Sequence, residues 1–504
     1  MVCTDNRKGG HAMTTVVIVG AGPTGLTLAC GLARQGVAVR VIEKADAFPT
    51  GSRGKTLNPR SLEVLADLGL GERLAAAGRT HLPFRKYFAG EFVNETEPFA
   101  GIRPSAGVPQ PAGLWLPQTR VERLLRERLA EYGVTVELAT ELVDFTQDGD
   151  GVEVRLADGG RIRAAYLVAC DGGRSTVRKL LGIPFVGDSA PEPMMVCGDV
   201  EVEGLDRGAW HQWFGPEGVF MLCPFEGTRR WQLQATPETD ADGRTVPPSL
   251  ESFRRLAALH TGRSDLVLTN ATWLSTWRVN VRVAQRYRTG RAFLAGDCAH
   301  VHPTAGGLGM NTGIQDAWNL AWKLGYVVRG LAAPALLDTY QEERLPIAAW
   351  TLDVSTAGMA AVTEGISTPG VGVEAGRVGD LTGLSLGYPW SRLAAADPGG
   401  PLRAGDRAPD AVCPGPDATP GRLFDHFTGD HFTLLGLGPG ARPALTALPD
   451  HLRAVALDDP DGSVRRAYGI TGDALVLVRP DNHVALAVPA AGRAEVLGYL
   501  AALR

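Results

Sequence analysis

The feature that most constrains this chain is a glycine-rich turn between two short apolar strands. A strand, the turn, a helix and a second strand are predicted at residues 15–19, 20–25, 24–35 and 37–43. Gly20, Gly22 and Gly25 form a GxGxxG pattern, which lets the backbone approach a pyrophosphate at the N-terminus of the helix. Glu43 ends the second strand, where a carboxylate can accept hydrogen bonds from a ribose. The turn therefore predicts a dinucleotide-binding βαβ unit.

A second glycine-rich match occurs at residues 436–441, after another predicted strand. No clean helix follows this match, and no acidic residue ends a strand at the expected distance. We therefore expect one dinucleotide site in the chain rather than two.

The composition is that of an ordinary globular protein. With 504 residues we expect two or three domains, and 44% hydrophobic and 21% charged residues exclude whole-chain disorder. The net charge of -5 gives no electrostatic reason to expect nucleic acid or an anionic membrane as partner. The cysteines are spread without a CxxC pair or a His/Cys cluster, so we expect no metal site and a reduced, cytoplasmic location. Residues 1–12 are interpreted as an N-terminal extension.

Two later segments place an acidic residue at the end of a predicted strand. Residues 171–178 carry the pattern DGxxSxxR. Residues 296–297 are Gly-Asp, and the glycine-rich stretch 306–311 follows them before a helix. Because ligands collect at the carboxyl ends of strands in open α/β sheets, both segments are candidates to face the dinucleotide.

With these three motifs in this order, the chain resembles the single-component FAD-dependent aromatic hydroxylases, the p-hydroxybenzoate hydroxylase group of flavoprotein monooxygenases. It is most similar to the subgroup that hydroxylates aromatic polyketides. The resemblance implies an α/β fold with a Rossmann-like FAD-binding domain, an inserted and mostly antiparallel β-sheet domain for the substrate, and a C-terminal thioredoxin-like α/β domain. The implied boundaries are 13–80, 110–185 and 275–362 for the FAD-binding domain, 81–109 and 186–274 for the sheet domain, 363–403 for a linker and 404–504 for the thioredoxin-like domain.

The resemblance also implies which residues bind FAD. Glu43 is expected at the adenosine ribose, Asp297 at the ribityl chain, and the stretch 306–311 along the isoalloxazine. The implied cofactor-binding residues are Gly20, Gly22, Pro23, Thr24, Gly25, Glu43, Lys44, Arg53, Gln118, Asp171, Arg178, Gly296, Asp297, Pro303, Gly306, Gly307, Leu308, Gly309, Met310 and Asn311.

No catalytic residue is identified from the sequence. Pro303 and His302 are the candidates nearest the implied flavin ring. His300 and His302 have no third ligand nearby, so no metal is expected there.

Aromatic residues concentrate in the segment predicted to form the inserted sheet. Trp213, Phe220, Phe225 and Trp231 are candidates for a pocket that stacks on a flat substrate. The alternative is that they form the core of the sheet, because only half of each strand can face the flavin. The pocket interpretation predicts a sizeable fused-ring phenol or quinone as substrate, rather than a small benzoate.

The resemblance implies an enzyme that uses NADPH or NADH and O2 to hydroxylate an aromatic, polycyclic polyketide-type substrate through a flavin C4a-hydroperoxide. Two alternatives stay open: Baeyer-Villiger oxygenation of a polyketide ketone or quinone by the same flavin peroxide, and a flavin-binding protein without catalysis. The expected partners are the aromatic substrate and O2, a homodimer is left open, and neither nucleic acid nor a membrane is expected. Cys413 stands alone in the C-terminal region, so no thiol redox role is expected there.

Overall fold

The computed structural model describes residues 14–51, 53–190, 194–303, 305–395, 402–414, 420–449 and 451–504. The predicted extension at residues 1–12 and residues 396–401 of the predicted linker lie outside these ranges. The α-helices are α1 (Pro23–Arg34), α2 (Pro59–Asp67), α3 (Gly71–Ala77), α4 (Gln118–Glu131), α5 (Thr176–Leu180), α6 (Leu250–Thr261), α7 (Leu308–Val328), α8 (Asp338–Gly365), α9 (Leu423–Phe427), α10 (Ser463–Tyr468) and α11 (Arg493–Ala502). The strands are β1 (Val16–Val19), β2 (Val39–Ile42), β3 (Thr56–Leu57), β4 (Phe84–Phe88), β5 (Glu91–Thr96), β6 (Leu114–Trp115), β7 (Val136–Glu137), β8 (Leu142–Gln147), β9 (Val152–Leu156), β10 (Arg161–Ala164), β11 (Tyr166–Ala169), β12 (Phe185–Ser189), β13 (Met195–Glu203), β14 (Trp210–Gly215), β15 (Gly218–Pro224), β16 (Arg230–Ala235), β17 (Val267–Trp277), β18 (Asn280–Ala284), β19 (Arg288–Thr289), β20 (Ala292–Leu294), β21 (His300–Val301), β22 (Val412–Pro414), β23 (Pro420–Arg422), β24 (Phe432–Leu437), β25 (Leu452–Leu457), β26 (Ala474–Val478) and β27 (Val484–Pro489).

Strand β1 lies inside a six-stranded sheet of order β19-β20-β11-β1-β2-β7. It pairs in parallel with β2 and with β11, and β11 pairs in parallel with β20. These strands are almost entirely buried, as expected for apolar runs covered on both faces. The βαβ unit predicted from the sequence is therefore confirmed. Because the strands are parallel, Gly20, Glu43, Cys170 and Gly296 follow them at one edge of the sheet.

A second sheet of seven strands has the order β17-β13-β16-β15-β14-β4-β5. Its pairings are antiparallel except for β14 with β4, which agrees with the mostly antiparallel sheet expected from the sequence. Helix α6 covers one face of this sheet through Phe253, Leu256 and Ala257. Strand β17 continues to Trp277, past the predicted boundary at 274, and β12 pairs with β18 in a separate three-stranded sheet.

Helix α8 ends at Gly365, and the chain then crosses the molecule as a packed segment, residues 366–383, which we call the strap. On the sheet side, Lys86 donates to the carbonyl of Gly370 over 2.8 Å and pairs with Glu374. On the other side, Asn58 donates to the carbonyl of Leu381 over 3.2 Å. The sequence predicted a linker here, and these bonds fix the strap to β4 of the seven-stranded sheet and to the start of α2.

One helix of the described residues, Pro334–Gly365, is long and apolar enough to cross a membrane by length and composition, with 28% of its apolar window buried. Core helices pass the same test, so this evidence is weak. Within α8, Glu343 pairs with Lys323 and Arg344 pairs with Asp316, and all four side chains are buried in the protein. The absence of a membrane partner stays a prediction.

Residues 402–504 surround a four-stranded sheet of order β25-β24-β26-β27. Strand β24 is parallel to β25 and antiparallel to β26, which is antiparallel to β27. The turn between β26 and β27 packs on the first part of the chain, where Asp481 accepts a hydrogen bond of 3.0 Å from the indole of Trp322 on α7. The C-terminal unit is thus joined to the helix that begins beside the glycine-rich stretch 306–311.

Candidate active site

The three glycines of the GxGxxG turn have different surroundings. A Cβ on Gly20, whose φ is +104°, would lie 2.3 Å from the carbonyl oxygen of Cys170, and a Cβ on Gly25 would lie 2.1 Å from the carbonyl oxygen of Gly20. These two positions need glycine because backbone passes against them. A Cβ on Gly22 would meet no atom within 4 Å. Gly22 therefore opens onto free space at the N-terminus of α1, where a diphosphate can approach.

Glu43 directs its carboxylate at this turn. One oxygen accepts from the backbone N–H of Ala21 over 3.0 Å, and the other accepts from Ala45 over 3.1 Å. A carboxylate oxygen can accept more than one hydrogen bond, so Glu43 keeps acceptor capacity for a ribose hydroxyl. Lys44 follows it and is exposed.

Thr24, predicted to bind the cofactor, packs between the glycine-rich segments. A Cβ on Gly296 would lie 2.5 Å from the Thr24 hydroxyl oxygen, and a Cβ on Gly313 of α7 would lie 2.3 Å from it. Pro23 occupies the first turn of α1, where its missing N–H costs no intrahelical bond. These contacts give Thr24 a packing role at the base of the site.

The predicted segment 171–178 follows β11 and is bonded to the segment that follows β20. Asp171 Oδ2 accepts from the N–H groups of Thr176 and Val177 over 2.7 and 3.3 Å, at the start of α5. Arg178 is buried and donates to the carbonyls of Gly173 and Cys298 over 2.8 and 2.9 Å. Both guanidinium bonds go to backbone, so Arg178 ties this segment to the one at residues 296–298.

Asp297 and Arg53 are both exposed, and their charges are close enough to interact. Desolvation by the surrounding protein raises the pKa of the Asp297 carboxyl, while His300 and Arg53 oppose the shift through their charge. The carboxylate therefore gains from hydroxyl donors such as those of a ribityl chain.

The glycine-rich stretch 306–311 turns into helix α7. Gly306 and Gly307 have φ values of +76° and +65°, which favour glycine, and α7 begins at Leu308. Asn311 fixes this turn to the segment 53–58: its amide donates to the carbonyl of Thr56 over 3.1 Å and its oxygen accepts from the N–H of Asn58 over 2.9 Å. The start of α7, where the first N–H groups of a helix lack intrahelical partners, thus lies at this edge of the site.

Gln118 and Met310 meet at the same segment. Gln118 Oε1 accepts from the N–H of Gly54 over 3.2 Å, and a Cβ on Gly54 would lie 3.5 Å from the Met310 sulfur. Gly309 approaches the ring of His302, with its built Cβ 3.6 Å from Nε2. The residues that the sequence assigned to the flavin therefore converge around residues 53–58.

His302 and Pro303 lie between Asp297 and this turn. His302 Nδ1 donates to the carbonyl of Pro303 over 2.9 Å, and Nε2 is buried without a hydrogen-bond partner in the described structure. Burial, together with the charge of His300, lowers the pKa of His302 to about 4. His300 Nε2 lies 2.6 Å from Asp316 Oδ2 inside the protein. Among the residues that the model describes, no cluster of His, Cys, Asp or Glu could hold a metal.

The predicted substrate pocket needs a correction. Trp213, Phe220 and Trp231 are at most 1% exposed and pack with Phe253 and Leu256 under helix α6. They lie on the face of the seven-stranded sheet that points away from residues 53–58. Phe225 lies at the end of β15, where its N–H donates to the carbonyl of Arg230. The pocket interpretation is wrong for Trp213, Phe220 and Trp231, because the alternation of each strand directs these side chains to α6.

The opposite face of the sheet carries the residues that the sequence analysis missed. Trp210, Met221 and Cys223 cluster there with Trp115. The side-chain amides of Gln232 and Gln234 lie on the same face. The segment 53–58 lies on this face: Lys55 Nζ donates to Gln232 Oε1 over 2.7 Å and to Gln234 Oε1 over 2.6 Å. Gln232 and Gln234 alternate with buried Trp231 and Leu233, and this alternation was the available signal.

These residues fit FAD. Gly22 opens onto space that a side chain would fill, Glu43 has acceptor capacity beside it, and Asp297 has an accessible carboxylate with a raised pKa. The N-terminus of α7 can favour negative charge on a flavin ring.

Two family models match the chain: "FAD binding domain" over residues 13–355 and "Aromatic-ring hydroxylase, C-terminal" over residues 402–503. A flavin-dependent monooxygenase of Mycobacteroides abscessus is 42% identical, over 97% of this chain and 99% of the relative. The 6-methylpretetramide 4-monooxygenase of Streptomyces rimosus is 34% identical, over 97% of this chain and 93% of the relative. The solved complex of aklavinone-11 hydroxylase with FAD and aklavinone has a TM-score of 0.84 at 29% identity, over 98% of this chain and 99% of that chain. The chain therefore belongs to the FAD-dependent aromatic-ring hydroxylases and is a flavin-dependent monooxygenase.

Proposed function

We propose that this enzyme hydroxylates a polycyclic, polyketide-type aromatic substrate, with NADPH or NADH as reductant and O2 as the source of the inserted oxygen. The observation that carries the proposal is the mixed aromatic and polar character of the sheet face on which the segment 53–58 lies, where Lys55 packs on Trp210 and donates to Gln232 and Gln234. Relatives named for tetracyclic substrates support it, including the 6-methylpretetramide monooxygenase and the aklavinone hydroxylase.

Polar groups on this face suit a substrate with several oxygens. The indole N–H groups of Trp115 and Trp210 and the amide nitrogen of Gln212 are buried without hydrogen-bond partners in the described residues. A buried donor without a partner costs free energy, so carbonyl or hydroxyl oxygens of a ligand would be stabilised there. A purely hydrocarbon ring would leave these donors unsatisfied.

FAD, when bound, supplies the redox chemistry: it takes electrons from the nicotinamide and delivers one oxygen atom of O2 to the substrate. The residues of the chain position and shield that chemistry. Glu43 would bind the adenosine ribose, Gly22 would admit the diphosphate, Asp297 would bind the ribityl hydroxyls, and the N-terminus of α7 would favour negative charge beside residues 306–311. We propose that the strap, which is bonded to Lys86 and Asn58, restricts water at the flavin.

We also propose that residues 404–504 form a thioredoxin-like domain without redox function. The strand order β25-β24-β26-β27, with one parallel pair followed by antiparallel strands, supports this fold. Burial raises the pKa of Cys413 to about 11, so its thiol stays protonated near pH 7. The unit has a structural role through its bonds to α7 and α8. The domain boundaries, a homodimer and a cytoplasmic location are further proposals that rest on the sequence.

Oxidation of NADPH and NADH by the FAD-loaded enzyme tests the proposal. We expect tri- and tetracyclic phenols to stimulate oxidation and to yield a product heavier by one oxygen. Nuclear magnetic resonance of that product separates ring hydroxylation from Baeyer-Villiger insertion, which gives a lactone or ester. Strong stimulation by a simple hydroxybenzoate, with no response to polycyclic phenols, would contradict the proposal.

A further inference from the structure

Lys55 places a positive charge against the face of the seven-stranded sheet that carries Trp210. Its ammonium is held by the neutral amide oxygens of Gln232 and Gln234 and lies 4.0 Å from the centroid of the Trp210 ring. An ammonium held by amide oxygens and an aromatic face is stabilised by their dipoles but is poorly hydrated. Burying this charge costs free energy, and an anionic partner would offset that cost.

The groups that face Lys55 supply little negative charge. Burial lowers the pKa of Lys55, and the opposing attractions come from Cys223, Cys197 and Asp199. Burial raises the pKa of both thiols to about 11, so both are neutral near pH 7. Asp199 on β13 is thus the carboxylate that attracts the Lys55 ammonium. Arg53, two residues before Lys55 in the sequence, carries a second positive charge. A further anionic oxygen in the cleft would be stabilised by this ammonium.

The backbone of Lys55 lies directly beside the implied flavin position. Its neighbour Gly54 approaches Met310, and its other neighbour Thr56 accepts the hydrogen bond from Asn311. The side chain of Lys55 points instead to the sheet, where it contacts Gln234 and Trp210. Its side chain therefore runs from the segment that contacts Met310 and Asn311 to the sheet face to which we assign the substrate.

We propose that Lys55 binds an acidic oxygen of the substrate, a phenol or an enol, and favours its anionic form. This inference rests on the proposed function and narrows its substrate class to aromatic compounds with an ionisable hydroxyl. The hydroxyl proton of the substrate passes to solvent on binding. Lys55 neither gains nor loses a proton in this step. The anionic oxygen donates electron density to the ring and so makes ring carbons more nucleophilic.

A dye titration tests this inference without turnover. Alizarin, a dihydroxyanthraquinone whose absorption changes on deprotonation, is titrated with pH on the oxidised, FAD-loaded enzyme, and anthraquinone serves as the probe without a hydroxyl. We expect the enzyme to lower the pKa of bound alizarin by about 1 unit or more relative to the free dye. Lys55→Met should abolish that shift and weaken alizarin binding about tenfold, with anthraquinone binding unchanged.

Two further variants serve as controls for the dye titration. Lys55→Gln keeps a side chain that can bond to Gln232 and Gln234, so it tests the charge if Lys55→Met loses FAD. Lys179→Met removes an exposed lysine on α5 and should leave the dye shift unchanged. Equal shifts in the wild-type enzyme and in Lys55→Gln would overturn the inference, as would equal binding of alizarin and anthraquinone to the wild type. Because no NADPH is present, this result is independent of whether the proposed hydroxylation occurs.

Discussion

Arg479 in the turn after β26 and Glu343 in helix α8 form a two-point ion pair, with Nη1–Oε1 and Nη2–Oε2 distances of 2.7 and 2.9 Å. Both side chains are fully buried. Lys323 of α7 also donates to Glu343, over 2.6 Å. This pair joins the C-terminal unit to the two long helices behind the flavin turn, so docking of that unit bears on the stability of the whole enzyme.

Arg479→Met should destabilise the enzyme strongly. The substitution leaves Glu343 and Asp481 buried without their principal cation, which costs about 3–5 kcal/mol of unfolding free energy. Urea unfolding followed by tryptophan fluorescence measures the change. Arg442→Met, which removes an exposed ion pair with Asp458, is the control and should shift stability by less than about 1 kcal/mol. Equal effects of the two substitutions would show that the buried pair is unimportant.

Gly22→Ala should separate folding from cofactor binding. A methyl group at Gly22 meets no protein atom, so the protein should fold normally, but the methyl fills the approach to the N-terminus of α1. We expect at least a tenfold weaker retention of FAD, measured as the ratio of flavin absorbance to protein, with thermal unfolding of the apoprotein unchanged. Gly25→Ala is the contrasting variant, because its Cβ meets backbone and should lower apoprotein stability. Full FAD occupancy in Gly22→Ala would contradict the assignment of the turn.

Glu374→Gln should loosen the strap. Lys86, which is 1% exposed, would lose its charged partner, while its bond to the carbonyl of Gly370 remains. Water would then reach the flavin more easily, and a larger share of NADPH oxidation should release hydrogen peroxide instead of product. The measurement is peroxide formed per NADPH consumed. Glu364→Gln, an exposed position at the end of α8, is the control, and identical peroxide yields in both variants would refute a shielding role.

His302 should make the enzyme sensitive to acid. Its pKa is about 4 in the folded protein and 6.5 as the reference value, so the unfolded chain binds a proton that the folded chain does not between these limits. This contribution to stability is complete above pH 6.5 and is lost as the pH falls toward 4. His302→Gln should therefore reduce the fall in melting temperature between pH 6.5 and pH 4. An unchanged pH profile would show that His302 does not have this lowered pKa.

The sequence predicted the geometry at the carboxyl edge of the parallel strands well, because its glycines and acids are fixed by backbone geometry within short segments. Gly20, Gly25 and Glu43 lie together as expected, and Gly296 packs on Thr24 of the same turn, since parallel strands end at a shared edge. The packing of Thr24 against Gly296 and Gly313 could not be predicted, because it depends on parts of the chain that are distant in sequence.

The substrate face could not be predicted in the same way. Strand alternation shows that Trp231 and Gln232 lie on opposite faces, but it does not show which face the helix α6 covers. Lys55 meets Gln232 across 177 residues of sequence, and no local pattern marks that contact.

Isotope labelling tests the central claim most directly. The FAD-loaded enzyme is given NADPH, a tetracyclic phenol and oxygen gas enriched in oxygen-18, and the product is analysed by mass spectrometry. The account predicts one labelled oxygen atom per product molecule, and no label when oxygen-18 is supplied only as water. A product whose new oxygen comes from water, or substrate-independent NADPH oxidation with no oxygenated product from any polycyclic phenol, would contradict it.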